Sequence, residues 1–213
     1  MLTLNWNAVI LPGFIVFEGL DGAGTTTQAH ELVRFLTDTG SQAEFTCEPT
    51  DYLTGTTIRQ LLVGPEVAQP WTLALLFAAD RHEHLERPGT GIRARCREGV
   101  TVVSDRYLFS SIAYQGAFVA SAAVEQLNHG FPLPEHLIFI DTPQDEASRR
   151  LAGRGTRDTL EQNDVQVRVA ARYRAVVDAF AQQSAMMVHT IDGTQSRERV
   201  FQDILQALQL ETG

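Results

Sequence analysis

A chain of 213 residues with 44% hydrophobic and 20% charged residues has the make-up of a globular protein able to bury a substantial core, and argues against a disordered chain. Its formal charge of −9, from 17 basic and 26 acidic groups, argues against polymeric nucleic acid as a partner, which requires a broad basic surface. A small anionic ligand stays open, because that needs cations in one cleft only, and every basic residue is an arginine, a planar fork rather than a compact point charge.

No Pro/Ser-rich linker or composition break divides the chain, so one domain over 1–213 is expected, with 1–13 as an N-terminal extension. No apolar run reaches the roughly 18 residues of a membrane span, and MLTLNWNAVILP lacks the basic start of a secretory signal. The expectation is a cytoplasmic protein with no membrane partner. Cys47 and Cys96 are too few for a disulfide framework and lack metal-ligand spacing, which reads as two reduced thiols.

In chain order, short apolar runs at 14–18, 43–47, 100–104, 137–141 and 187–191 read as buried strands. Between them, Ala29, Leu32, Val33 and Leu36 recur at helical spacing, with Gly40 as the stop. Helical patterns follow around Ile58, Leu61 and Leu62, over 71–86, 144–153, 162–183 and 196–209. The 71–86 helix is apolar almost all round in its first half, as a helix buried against another helix, of the same chain or of a second subunit, would be. Strands alternating with helices predict an α/β fold, a five-stranded parallel sheet with helices on both faces and ligands beyond the carboxyl ends of the strands.

The segment FIVFEGLDGAGTTTQ, 14–28, is a strand, a glycine turn and a helix start. In the pattern G-x-x-x-x-G-K-[ST] the backbone N–H groups wrap an anion, the lysine reaches phosphates and the hydroxyl meets magnesium. Gly19, Gly24 and Thr26 fit, with Gly22, Ala23 and Thr27 completing the turn, but Thr25 stands where the lysine belongs. Glu18 and Asp21 are delivered to the same edge. The run VTVVSD ends in Asp105, the placement of a second acidic residue that holds magnesium. Thr26 and Asp105 are therefore the candidate metal ligands.

The order GLDGAGxTTQ, then EP, then LLFAADRxxHLE, then SDRYxxSSxAYQG resembles the thymidylate kinase family, from Phe14 to about Leu208. IDTPQDEASRRLAGRG, 140–155, resembles the same family's strand, helix and arginine-bearing lid, placed at about 143–161. The resemblance implies a P-loop NTPase-type three-layer sandwich, a homodimer, and transfer of the γ-phosphate of ATP to dTMP with magnesium, giving dTDP and ADP. It implies that Phe77 stacks on thymine, Arg81 donates to a base carbonyl, Ser111 and Gln115 bond the base edge, and Tyr114 crowds a ribose hydroxyl. Arg106 would grip the monophosphate and Asp21 would meet the sugar 3′-hydroxyl or the magnesium shell. Ala23 makes the chain similar to the type whose lid, here Arg150 and Arg154, supplies the arginine that the phosphate turn lacks.

Three positions depart from the family pattern, each by losing a cation: Thr25, Cys47 before Glu48-Pro49, and Thr159 in the lid. Arg106 and Arg59 are expected to take over at the monophosphate, and a lid arginine to replace the missing ammonium. Two other readings stay open on these departures, a nucleotide-binding homologue with impaired catalysis and a kinase for another deoxynucleoside monophosphate.

Overall fold

The computed structural model describes residues 9–64, 68–152, 163–183 and 185–210. Five strands form the sheet: β1 (Ile10–Gly19), β2 (Ala43–Cys47), β3 (Thr101–Asp105), β4 (Leu133–Asp141) and β5 (Met187–Asp192). All pair in parallel, in the order β2-β3-β1-β4-β5. The described helices are α1 (Thr25–Asp38), α2 (Leu53–Val63), α3 (Pro70–Glu86), α4 (Ile92–Arg97), α5 (Leu108–Tyr114), α6 (Ser121–Asn128), α7 (Gln144–Leu151), α8 (Asn163–Gln183) and α9 (Arg197–Ala207).

Alternation along the strands sends apolar side chains to both faces, as a sheet covered on both sides requires. One core joins Phe14, Val16, Leu137 and Phe139 to α5 and α8 through Phe109, Ile112, Tyr173 and Phe180. The other joins Ile15, Phe17, Ile138 and Ile140 to α1 and α9 through Leu32, Leu36, Val200 and Ile204. These are the predicted three layers.

The chain moves outward from β1 to β2 by way of α1, returns to β3, and then crosses to β4 on the other side of β1. That reversal opens a crevice at the carboxyl end of β1, where ligands settle in such sheets. The register there is tight: Phe17 pairs with Asp105 on β3 and with Ile138 on β4.

Two differences from the sequence reading have clear causes. Strand β1 begins at Ile10 rather than 14, and β4 at Leu133 rather than 137, because Pro12-Gly13 and Pro134 interrupt the apolar runs without ending the pairing. Helices α4, α5 and α6 were not read. In α5 six of seven residues are buried, Leu108, Phe109, Ser111, Ile112, Ala113 and Tyr114, so no polar face is left to reveal a helical period.

Candidate active site

Two hollows adjoin at the crevice and share Asp21 and Arg106 in their walls. The first, of about 470 Å³, is lined by Glu48, Pro49, Leu62, Phe77, Arg81, Tyr107, Ser110, Tyr114 and Gln115 besides the shared pair. The second, of about 420 Å³, is lined by Gly22, Gly24, Thr25, Thr26, Thr27 and Asp105.

The second hollow is built by the glycine turn. Gly22 and Gly24 have φ of 90° and 98°, a left-handed backbone open to glycine at little cost. A Cβ on Gly22 would lie 2.3 Å from the Ala147 carbonyl oxygen, so α7 packs directly on the turn. Gly24 caps α1, whose first N–H groups then face the hollow without side-chain partners, a ready anion site. Ala23 is buried beneath the turn, its N–H donating to the Leu20 carbonyl at 2.9 Å. Thr26 Oγ1 donates to Asp105 Oδ2 at 2.5 Å, while Asp105 Oδ1 is buried with no partner among the described residues. An orphaned carboxylate oxygen beside a hydroxyl is a hard-oxygen set of the kind magnesium takes.

Between the hollows stands the Asp21–Arg106 pair. One guanidinium nitrogen of Arg106 donates to Asp21, and the other donates to the Gly19 carbonyl and Tyr173 hydroxyl at 3.0 Å and to Ser110 Oγ at 3.2 Å. Asp21 also accepts from the Tyr114 hydroxyl and from Gln166 Nε2, each at 2.7 Å. Arg106 has φ of 75°, unusual for a residue with a Cβ and common where a site dictates the backbone. Burial works against its charge, yet the Asp21 carboxylate holds the guanidinium well above the ordinary arginine range, so it stays cationic. Burial, and then Asp21, raises the Tyr114 phenol, which stays protonated.

Glu18, which the sequence set at the ligand edge, is instead fully buried behind Arg106. It accepts from the Tyr107 and Ser110 N–H groups at 2.9 and 3.1 Å, from Ser110 Oγ at 2.7 Å and from the Tyr173 hydroxyl at 2.6 Å. Burial pushes its carboxyl up to about 7 against the pull of Arg106 and these donors. Glu18 thus fixes the start of α5 and the side chains that orient Arg106.

The far wall of the first hollow is a buried polar network. Arg81, 1% exposed, donates to Asn128 Oδ1 at 2.5 Å, Glu48 Oε2 at 2.6 Å and Ser111 Oγ at 3.2 Å. Glu48 in turn meets His84 Nδ1 at 3.2 Å, and His84 Nε2 meets Thr46 Oγ1 at 2.5 Å. Phe77, one turn before Arg81 on α3, is half-buried and lines the hollow.

The structure therefore gathers Asp21, Phe77, Arg81, Arg106, Tyr114 and Gln115 around one space. Ser111 was expected on the base edge but lies one layer back, bonded to Arg81, and Ser110 takes its place in the wall. Arg59 is spent on the Pro49 and Thr50 carbonyls and on Asp51 rather than on the crevice. Arg150 is tied to Glu146 at 2.8 Å and to the Gly193 carbonyl at 2.9 Å. Arg154 and Thr159, with the rest of 153–162, lie outside the described residues. Sequence reasoning missed Asn128, Gln166 and Tyr173, which are ordinary helix residues until the fold brings them in. Glu48 carried one usable signal, an acidic residue directly after an apolar strand.

A family model described as thymidylate kinase matches residues 17–204. A Treponema pallidum protein that bears thymidylate kinase in its name is 40% identical over 201 residues, covering 93% of this chain and 96% of its own. Proteins so named from Methanococcus maripaludis and Pyrococcus abyssi are 35% and 34% identical, covering 92% and 90% of this chain and 94% and 93% of theirs.

Proposed function

This chain belongs to the thymidylate kinase family, and on that premise we propose that it transfers the γ-phosphate of ATP to dTMP at the two adjoining hollows, dTMP in the first and the ATP phosphates in the second. One observation carries the acceptor assignment. In the wall of the first hollow, two buried polar atoms have no partner among the described residues: Arg81 Nε, a donor, and Gln115 Oε1, an acceptor. Thymine offers the complement, an accepting O4 beside a donating N3–H, whereas cytosine offers the reverse. Sites with committed buried donors and acceptors reject the mismatched edge strongly.

The residues then divide the work. Phe77 supplies a ring face for the base. Tyr114, held by Asp21 and Gln166, stands where a ribose 2′-hydroxyl would have to fit, and Asp21 is placed for the sugar 3′-hydroxyl. Arg106, lining both hollows, grips the acceptor phosphate and faces the group in transit. The amides of the turn from Gly19 through Gly24 and the start of α1 from Thr25 to Thr27 receive the donor phosphates. Magnesium, held by Thr26 and Asp105 with Asp21 in its shell, would neutralise charge on the donor phosphates. Arg150 and Arg154 bring positive charge from the lid once the donor is bound, in place of the lysine absent at position 25.

The active unit is a single nucleoside monophosphate kinase domain that works as a homodimer. No described helix is long and apolar enough to cross a membrane, and both cysteines are unpaired thiols, in keeping with a reducing, cytoplasmic setting. ADP release with dTMP and ATP tests the reading against Asp105→Ala. A fall in kcat of at least about a hundredfold is expected for the loss of one preorganised electrostatic contact, and equal rates in the two proteins would defeat it.

A further inference from the structure

Helix α6 contributes none of the residues lining the acceptor hollow, yet its last residue, Asn128, is 1% exposed and accepts from Arg81 Nη1 at 2.5 Å. Its own amide is fixed in turn, because Nδ2 donates to the Val124 carbonyl at 2.8 Å. Opposite, Arg81 Nη2 is held by Glu48 and Ser111, and the guanidinium carbon sits 5.3 Å from the Tyr107 ring centroid and 5.7 Å from that of Phe131. A planar guanidinium gripped at both amino ends and near two rings cannot turn, so the directions of its two remaining N–H bonds, one on Nε and one on Nη1, are set by its neighbours.

We infer that Asn128 is a specificity-determining positioning residue, which selects a 4-oxo pyrimidine over a 4-amino pyrimidine by fixing the orientation of Arg81. This rests on the reading of the first hollow as the dTMP site. Without Asn128, Nη1 has lost its acceptor where water scarcely reaches, and the guanidinium rotates to recover one. The N–H bonds left for the base carbonyl swing away from it. Binding of either pyrimidine weakens, but only the 4-oxo base loses a bond that it alone could make.

The test is steady-state kinetics with dTMP and dCMP for wild type, Asn128→Ala and Asn128→Asp. For Asn128→Ala, KM for dTMP should rise about tenfold with kcat within about threefold, the mark of lost binding rather than lost chemistry. The ratio of kcat/KM for dTMP over dCMP should fall about tenfold or more. Asn128→Asp keeps an acceptor for Nη1 and should hold that ratio within about threefold of wild type. A proportionate fall for both nucleotides in Asn128→Ala, with the ratio unchanged, would reduce Asn128 to a structural residue and overturn the inference. Should that variant fail to fold, Asn128→Leu, closer in volume, reads the same ratio. Wild-type protein inert towards dTMP would instead overturn the assignment of the hollow.

Discussion

At the scale of single residues, Thr25 raises the sharpest question. It is 5% exposed, and its methyl group lies 3.1 Å from where a Cβ on Gly19 would stand, so it is packed into the turn. No charge is offered from that position. Cys47 similarly ends β2 as a half-buried thiol, raised by burial, where an arginine would have served. The positive charge that remains in the described walls of the second hollow is Arg106, already committed to Asp21. If Arg106 and the lid arginines carry the task of the lysine, Thr25→Lys should raise kcat by no more than about tenfold. A gain on the order of a hundredfold to a thousandfold would show that the charge had been missing. Single-turnover rates with dTMP and ATP at saturation separate the two.

Elements tell how the parts are kept in step. Two helices, α7 and α8, meet the glycine turn. Helix α7 meets Gly22, and α8 meets Asp21 through Gln166. Two turns further along α8, Tyr173 reaches Glu18 and Arg106. At the opposite end of the sheet β5, an edge strand, is fastened to β4 by a pair of imidazoles, His136 Nδ1 to His189 Nε2 at 3.1 Å. Burial holds both below the ordinary histidine range, and His136 adds to the effect at His189, while Glu135 opposes it at His136. Below pH 6.5 the unfolded chain therefore takes up protons that the folded pair resists. Their contribution to stability is present above pH 6.5 and lost as pH falls through the folded values. Thermal melts of wild type should drop by a few degrees more between pH 7.5 and 5.5 than those of the double variant His136→Gln, His189→Gln. Equal acid sensitivity would remove the pair from the account.

For the whole molecule, the exposed apolar residues of α2 and α3 bear on assembly. Trp71 and Leu75 are 40% and 45% exposed and one turn apart on α3, and Leu53 and Val63 on α2 are more exposed still. Exposed apolar side chains of this kind would be covered in the homodimer proposed above. Leu75→Glu should convert a dimer into a monomer of 23.5 kDa by light scattering, and an unchanged mass would place the contact elsewhere. The sequence alone decided the α/β alternation, the glycine turn, Asp105 at a strand end and the cluster Phe77, Arg81, Arg106, Tyr114 and Gln115. Each of these is local, carried by periodicity or by residues within one turn of each other, or by family-wide spacing. Tertiary structure alone decided that Glu18 sits behind the site and not in it, that Ser111 stands one layer back, and that Glu48, Asn128, Gln166 and Tyr173 orient the charged groups. Hydrogen bonds between residues 33 to 155 positions apart leave no periodic trace, because they depend on which strands lie side by side and which helix covers them.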